Sequence, residues 1–127
     1  MLEFRVPEIV KNAKKDYAFT QLSAVEIWSD FSYVQRGREK SPYFIKVLKK
    51  DLKYWTAFFN RQGISNYINS GTAIGEYVIL IPISHLTFKE KSGFKVDSLK
   101  ETIQYARSND VYAYASEYMN KKYGATV

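Results

Sequence analysis

Glu76-Tyr77-Val78-Ile79-Leu80-Ile81-Pro82-Ile83 is the stretch on which the fold turns. From Tyr77 to Ile83 the run is continuously apolar, the signature of a strand covered on both faces rather than one alternating between core and water. It is far shorter than the ~20 residues a membrane-spanning helix needs. A strand of this kind requires a layer on each side of its sheet. The expectation is therefore an α+β fold, a mixed sheet of four to six strands flanked by helices.

The segments around it supply those layers. Upstream, Tyr43–Leu48 reads as a strand, with Tyr43, Ile45 and Val47 on one face and Phe44, Lys46 and Leu48 on the other. A helix follows from Lys50 or Asp51, in which Leu52, Trp55, Phe58 and Phe59 recur at helical spacing and Gly63 serves as the stop. Asn66–Ile68 adds a short strand. Ser70–Gly75 has glycines four apart, but a strand follows rather than the helix a phosphate cradle wants, so it reads as a plain loop. Downstream, Leu86–Lys89 and Phe94–Val96 flank a hairpin turn in which Gly93 takes a positive φ. The chain then reads as two helices, 98–107 and 111–123, the second with a stripe of Val111, Tyr114, Ala115, Tyr118 and Met119.

Toward the N-terminus, Pro7, Ile9, Val10 and Ala13 indicate a short helix over 7–15. Ser23 and Glu26 have capping-box spacing, with Thr20 as a competing cap, for a second helix ending near 28–30. Phe31–Gln35 reads as a further strand. No repeat or linker interrupts residues 1–127, so one domain is expected.

Composition narrows the chemistry. There is no cysteine, which excludes disulfides and thiolate catalysis or ligation. Met1–Val10 carries Glu3, Arg5 and Glu8 and does not read as a leader, so a cytoplasmic location without membrane contact is expected. Aromatic residues make up 17% of the chain, 11 of them tyrosines, which can serve a core with half-wet rims or the interface of a homo-oligomer.

The net charge of +6 is concentrated. Residues 1–35 sum to −1 and residues 54–127 to +2, whereas 36–53 sum to +5 through Arg36, Arg38, Lys40, Lys46, Lys49, Lys50 and Lys53. Carried on a loop, a strand and a helix start, these seven can converge on one side of the fold as a surface for phosphates or an acidic partner. They also fit an ordinary solvated loop and helix face.

No catalytic constellation assembles. His85 is the lone histidine, with Ser84 beside it; neighbours on a strand point to opposite faces, which disfavours a nucleophile–base pair. A restriction-endonuclease-like core would use Glu26 and Asp30 and then an acid-x-lysine, but the last motif reads Val47-Leu48-Lys49. Such a core would be degenerate and inactive. No enzymatic activity, metal or cofactor is expected.

Two stretches and the order between them carry a resemblance. Tyr17-Ala18-Phe19-Thr20-Gln21-Leu22-Ser23-Ala24 is similar to the Phe-Thr-Gly-Leu-Ser-Ala opening of abortive-infection (AbiEi-type) antitoxins and regulators, with Gln21 at the glycine. Gly93-Phe94-Lys95-Val96-Asp97-Ser98-Leu99-Lys100-Glu101-Thr102 resembles that family's closing pattern, and the buried strand ending near Pro82 lies between them as it does there. The likeness spans about residues 17–120. It implies a non-enzymatic regulatory domain that binds a protein partner, a nucleotidyltransferase-type toxin. It implies no catalytic residues. The family's DNA-binding winged helix has no room in the 16 residues before Tyr17, so only weak binding of nucleic acid is expected.

Overall fold

A computed structural model describes residues 5–30, 40–108 and 113–123; Lys40 and Ala113 are described by backbone alone. Within them lie helices α1 (Val6–Val10), α2 (Gln21–Trp28), α3 (Leu52–Arg61), α4 (Leu99–Arg107) and α5 (Ala113–Tyr123). The strands are β1 (Tyr17–Phe19), β2 (Lys40–Leu48), β3 (Ser65–Ile68), β4 (Gly75–Ile83), β5 (Lys89–Lys91) and β6 (Phe94–Val96). The expected α+β class is what forms: one six-stranded mixed sheet in the order β3-β4-β2-β1-β6-β5. No helix among the described residues is long and apolar enough to cross a membrane.

β4 lies between β3 and β2, parallel to both. Tyr77, Val78, Ile79 and Leu80 are buried in succession, as the apolar run requires. Tyr43, Ile45 and Val47 of β2 face one way and pack with Val78 and Leu80 against α1 and the Trp55, Phe58 and Phe59 face of α3. Phe44 and Leu48, on the other face of the sheet, are only half-buried. A second apolar cluster joins Val25 of α2 to Ile103, Ala106, Ala115 and Met119, so α2 is buried from both sides.

Several boundaries moved for identifiable reasons. The first helix ends at Val10 rather than near 15, because beyond Ala13 the chain turns toward α3 and the Lys14 amide donates to the Tyr54 hydroxyl at 2.8 Å. Its open N-terminus is closed by Glu76, whose carboxylate accepts from the amides of Arg5 and Val6 at 2.8 and 3.0 Å. Ser23 does not cap α2; its hydroxyl accepts from the Phe44 amide at 3.0 Å. Thr20 holds the cap position, but its hydroxyl turns to Asp97. Gln21, where the resembling family carries glycine, sits at φ +52°, a conformation that costs a non-glycine residue on the order of 1 kcal/mol.

The hairpin forms over 89–96 rather than from Leu86, with positive φ at both Ser92 and Gly93, as a two-residue primed turn demands. In α5 the buried face is Ala115, Ser116 and Met119, and Tyr114 is 74% exposed, so the stripe is rotated from the expected one. Tyr123 fixes that rotation by packing edge-on to Trp28 and donating its hydroxyl to the Trp28 carbonyl at 2.7 Å. The strand expected over 31–35 lies outside the described residues.

Parallel neighbours ordinarily need a crossover of about a dozen residues or more. β3 returns to β4 through residues 69–74 alone. The return is possible because the loop lies flat on Tyr67: a Cβ on Gly71 would stand 2.2 Å from the Tyr67 ring.

Candidate functional site

β2 brings Leu48 to the C-terminal end of an interior strand, where a 3-10 turn over Lys49–Asp51 leads into α3. Lys49, Lys50 and Lys53 surround this corner, all exposed. The 11–16 loop comes to the same place. Lys14 is anchored there through the Tyr54 bond, and Lys15 lies 4.0 Å from Asp51. Five exposed ammonium groups from two distant segments thus gather at one end. Among the described residues, Lys14, Lys49, Lys50 and Lys53 have no ion-pair partner, and the nearby Asp16 is engaged by Lys95 at 3.0 Å.

Of the seven cations singled out from the sequence, those in the described residues do not all converge. Lys40 begins β2 and Lys49 follows its end, and at 3.3 Å per residue the nine-residue strand holds Lys40 about 26 Å from Leu48, the residue before Lys49. Lys46 points to the back of the sheet and is consumed there, 3.0 Å from Asp97 and 3.5 Å from Glu101. Arg36 and Arg38 lie outside the described residues. Lys49, Lys50 and Lys53 remain from that set. Lys14 and Lys15 were missed because charge summed over residues 1–35 hides an adjacent pair among five acids; the Lys-Lys doublet itself was the available signal.

Beside the lysines runs a surface groove of about 450 Å³, lined by Leu48, Lys49, Lys50, Ile83 and Ser84. Its floor is set by strand register: Leu48 and Ile83 are paired residues at the ends of the parallel strands β2 and β4. The crevice beyond the carboxyl ends of parallel strands is a recurrent ligand position in open sheets. A second cavity, between Phe19, Ile27, Tyr43 and Phe94, has room of only 10 Å³, about one water.

A buried polar centre lies elsewhere. Asp97 accepts from the Thr20 hydroxyl at 2.5 Å, and its carbonyl accepts from the Trp28 indole at 2.8 Å. Lys46 Nζ is close enough to Asp97 Oδ1 to form an ion pair, but its approach is not that of a hydrogen bond. Burial pushes the Asp97 carboxyl above its ordinary value, and the Thr20 bond and the Lys46 charge offset this only in part. The arrangement ties β6 and the start of α4 to β1, β2 and α2, which is a structural use.

The nuclease-like acids do not meet. Glu26 is buried in α2, Asp30 is bonded to Lys91 and Lys122 at the protein surface, and Val47 points into the core. Among the described residues no three His, Asp or Glu side chains are grouped as metal ligands. His85 and Ser84 are both exposed in the bend after β4. No known family, curated protein or solved structure matches the chain.

Proposed function

We propose that the protein is a non-enzymatic binding module whose lysine-rich end engages the phosphate backbone of nucleic acid. The observation behind this reading is the gathering of Lys14, Lys15, Lys49, Lys50 and Lys53 around the start of α3, where Asp51 pairs only with Lys15 and Asp16 is engaged by Lys95. Exposed, unpaired cations in a cluster repel one another, and a polyanion relieves that repulsion while releasing condensed counterions.

Fluorescence anisotropy titrations over a salt series test it. Three to five phosphate contacts give log K against log salt a slope of about −3 to −4.5 on duplex DNA. Replacing Lys49, Lys50 and Lys53 together by alanine is expected to cut that slope by about 2 to 3. A slope near zero, or one unchanged in the triple variant, would sink the reading.

A protein partner is the second reading, favoured by the β3 edge. β3 carries no charge; its own Ile68 is 48% exposed, and Ile74 in the loop that follows is 91% exposed. An uncharged edge strand with apolar neighbours can accept an added strand. A toxin-like partner of the kind the family resemblance implies would dock there, and its binding would be lost in Ile74→Asp while DNA binding stayed intact.

A further inference from the structure

The lysine end has a shape as well as a charge. Lys49 and Lys50 stand over a groove whose floor, Leu48 and Ile83, is apolar and only half-buried, with the Ser84 hydroxyl at its rim. Its volume of about 450 Å³ falls within the ~300–1,000 Å³ of small-ligand sites, ample for one base and its sugar. A duplex can use the lysines, but its bases are stacked inward and cannot reach the floor without flipping out. A purely anionic chain, polyphosphate or acidic peptide, likewise leaves the floor wet. An unpaired strand matches both features, with its phosphates against Lys49 and Lys50 and one base covering Leu48 and Ile83.

From this geometry we infer that the groove between Lys49, Lys50 and the Leu48–Ile83 floor is a seat for an unpaired base of single-stranded nucleic acid. The inference rests on the polyanion reading above and adds to it a preference for single strands. Sequence selectivity is expected to be slight, since the floor contacts the face of a base rather than its hydrogen-bonding edge.

The test uses the whole chain and five probes at one ionic strength: a dT 15-mer, a duplex presenting as many phosphates, polyphosphate and polyglutamate of equal charge, and dTMP. The 15-mer is expected to bind about tenfold tighter than the duplex or polyphosphate, a difference of about 1.4 kcal/mol. Ile83→Ala opens the floor and Ser84→Gln fills the groove from an exposed position with a neutral side chain that offers no ring to stack on, so at least one variant remains folded. Both are expected to erase the single-strand excess and leave polyphosphate binding within about twofold. Equal binding of 15-mer and polyphosphate overturns the base seat while leaving the polyanion reading intact; no binding of any probe overturns both. A single-strand excess that persists in Ser84→Gln, dTMP binding as tight as the 15-mer, or polyglutamate binding as tight as the 15-mer also overturns it.

Discussion

Trp55 offers the sharpest test of how the core is built. It is fully buried, ringed by Tyr17, Tyr54, Phe58 and Phe59 at centroid distances of 5.9, 5.5, 5.6 and 5.8 Å. Truncating such a side chain to alanine removes its apolar burial and leaves a cavity, at a cost of about 3–5 kcal/mol. Against a total stability of about 5–15 kcal/mol, Trp55→Ala therefore leaves a marginal or largely unfolded protein. Trp55→Phe is different, because the indole N–H finds no acceptor among the described residues. Phenylalanine gives up about 1–2 kcal/mol of burial and packing, but it removes a buried donor whose desolvation costs about 1–3 kcal/mol. The two terms nearly cancel, and Trp55→Phe is expected within about 1 kcal/mol of wild type. Urea melts followed by far-UV circular dichroism measure both, since the signal does not depend on tryptophan. If Trp55→Phe costs as much as Trp55→Ala, the indole N–H is bonded in solution and the cancellation argument fails. If Trp55→Ala is as stable as wild type, α3 does not anchor the core.

Two further expectations follow from close contacts elsewhere. Gly71→Ala drives a methyl into the Tyr67 ring, and the overpacking is expected to cost about 1–3 kcal/mol in the same melts; adding Tyr67→Ala should remove most of that coupling, and additive losses would contradict the contact. Because burial holds Asp97 above its ordinary value of 3.8, the folded state binds this proton more readily than the unfolded one. The contribution of Asp97 to stability is then greatest below 3.8 and declines as the pH rises through its folded-state value. Asp97→Asn retains an acceptor for Thr20 and leaves Lys46 with Glu101. Its stability is expected to lack that decline, and a pH profile parallel to wild type would contradict the assignment.

Residue order alone determined the class of the fold and most of its elements. The apolar run 76–83 had to be a covered strand, and the two-residue alternation over 43–48 fixed which of its side chains enter the core. The aromatic spacing of 52–59 made α3, and the Ser92-Gly93 pair made the hairpin turn. These are local signals, since each element states its own period and its own stop. The surplus tyrosines followed as core and rim: Tyr17, Tyr43 and Tyr77 are buried, and Tyr114 is the single exposed one among those described.

What needed the tertiary structure was every relation between distant segments. Ser23 and Glu26 have capping-box spacing, but strand β2 arrives with an unsatisfied Phe44 amide and takes the Ser23 hydroxyl. Lys40, Lys46 and Lys49, close in sequence, were separated because an extended strand carries its ends far apart and turns Lys46 inward to Asp97. Lys14 and Lys15, more than thirty residues away, joined Lys49, Lys50 and Lys53 because the antiparallel pairing of Tyr17 with Val47 brings those two stretches level. Charge has no period and no fixed partner in sequence. Its position in space is set by strand pairing, and strand pairing is decided by the apolar faces.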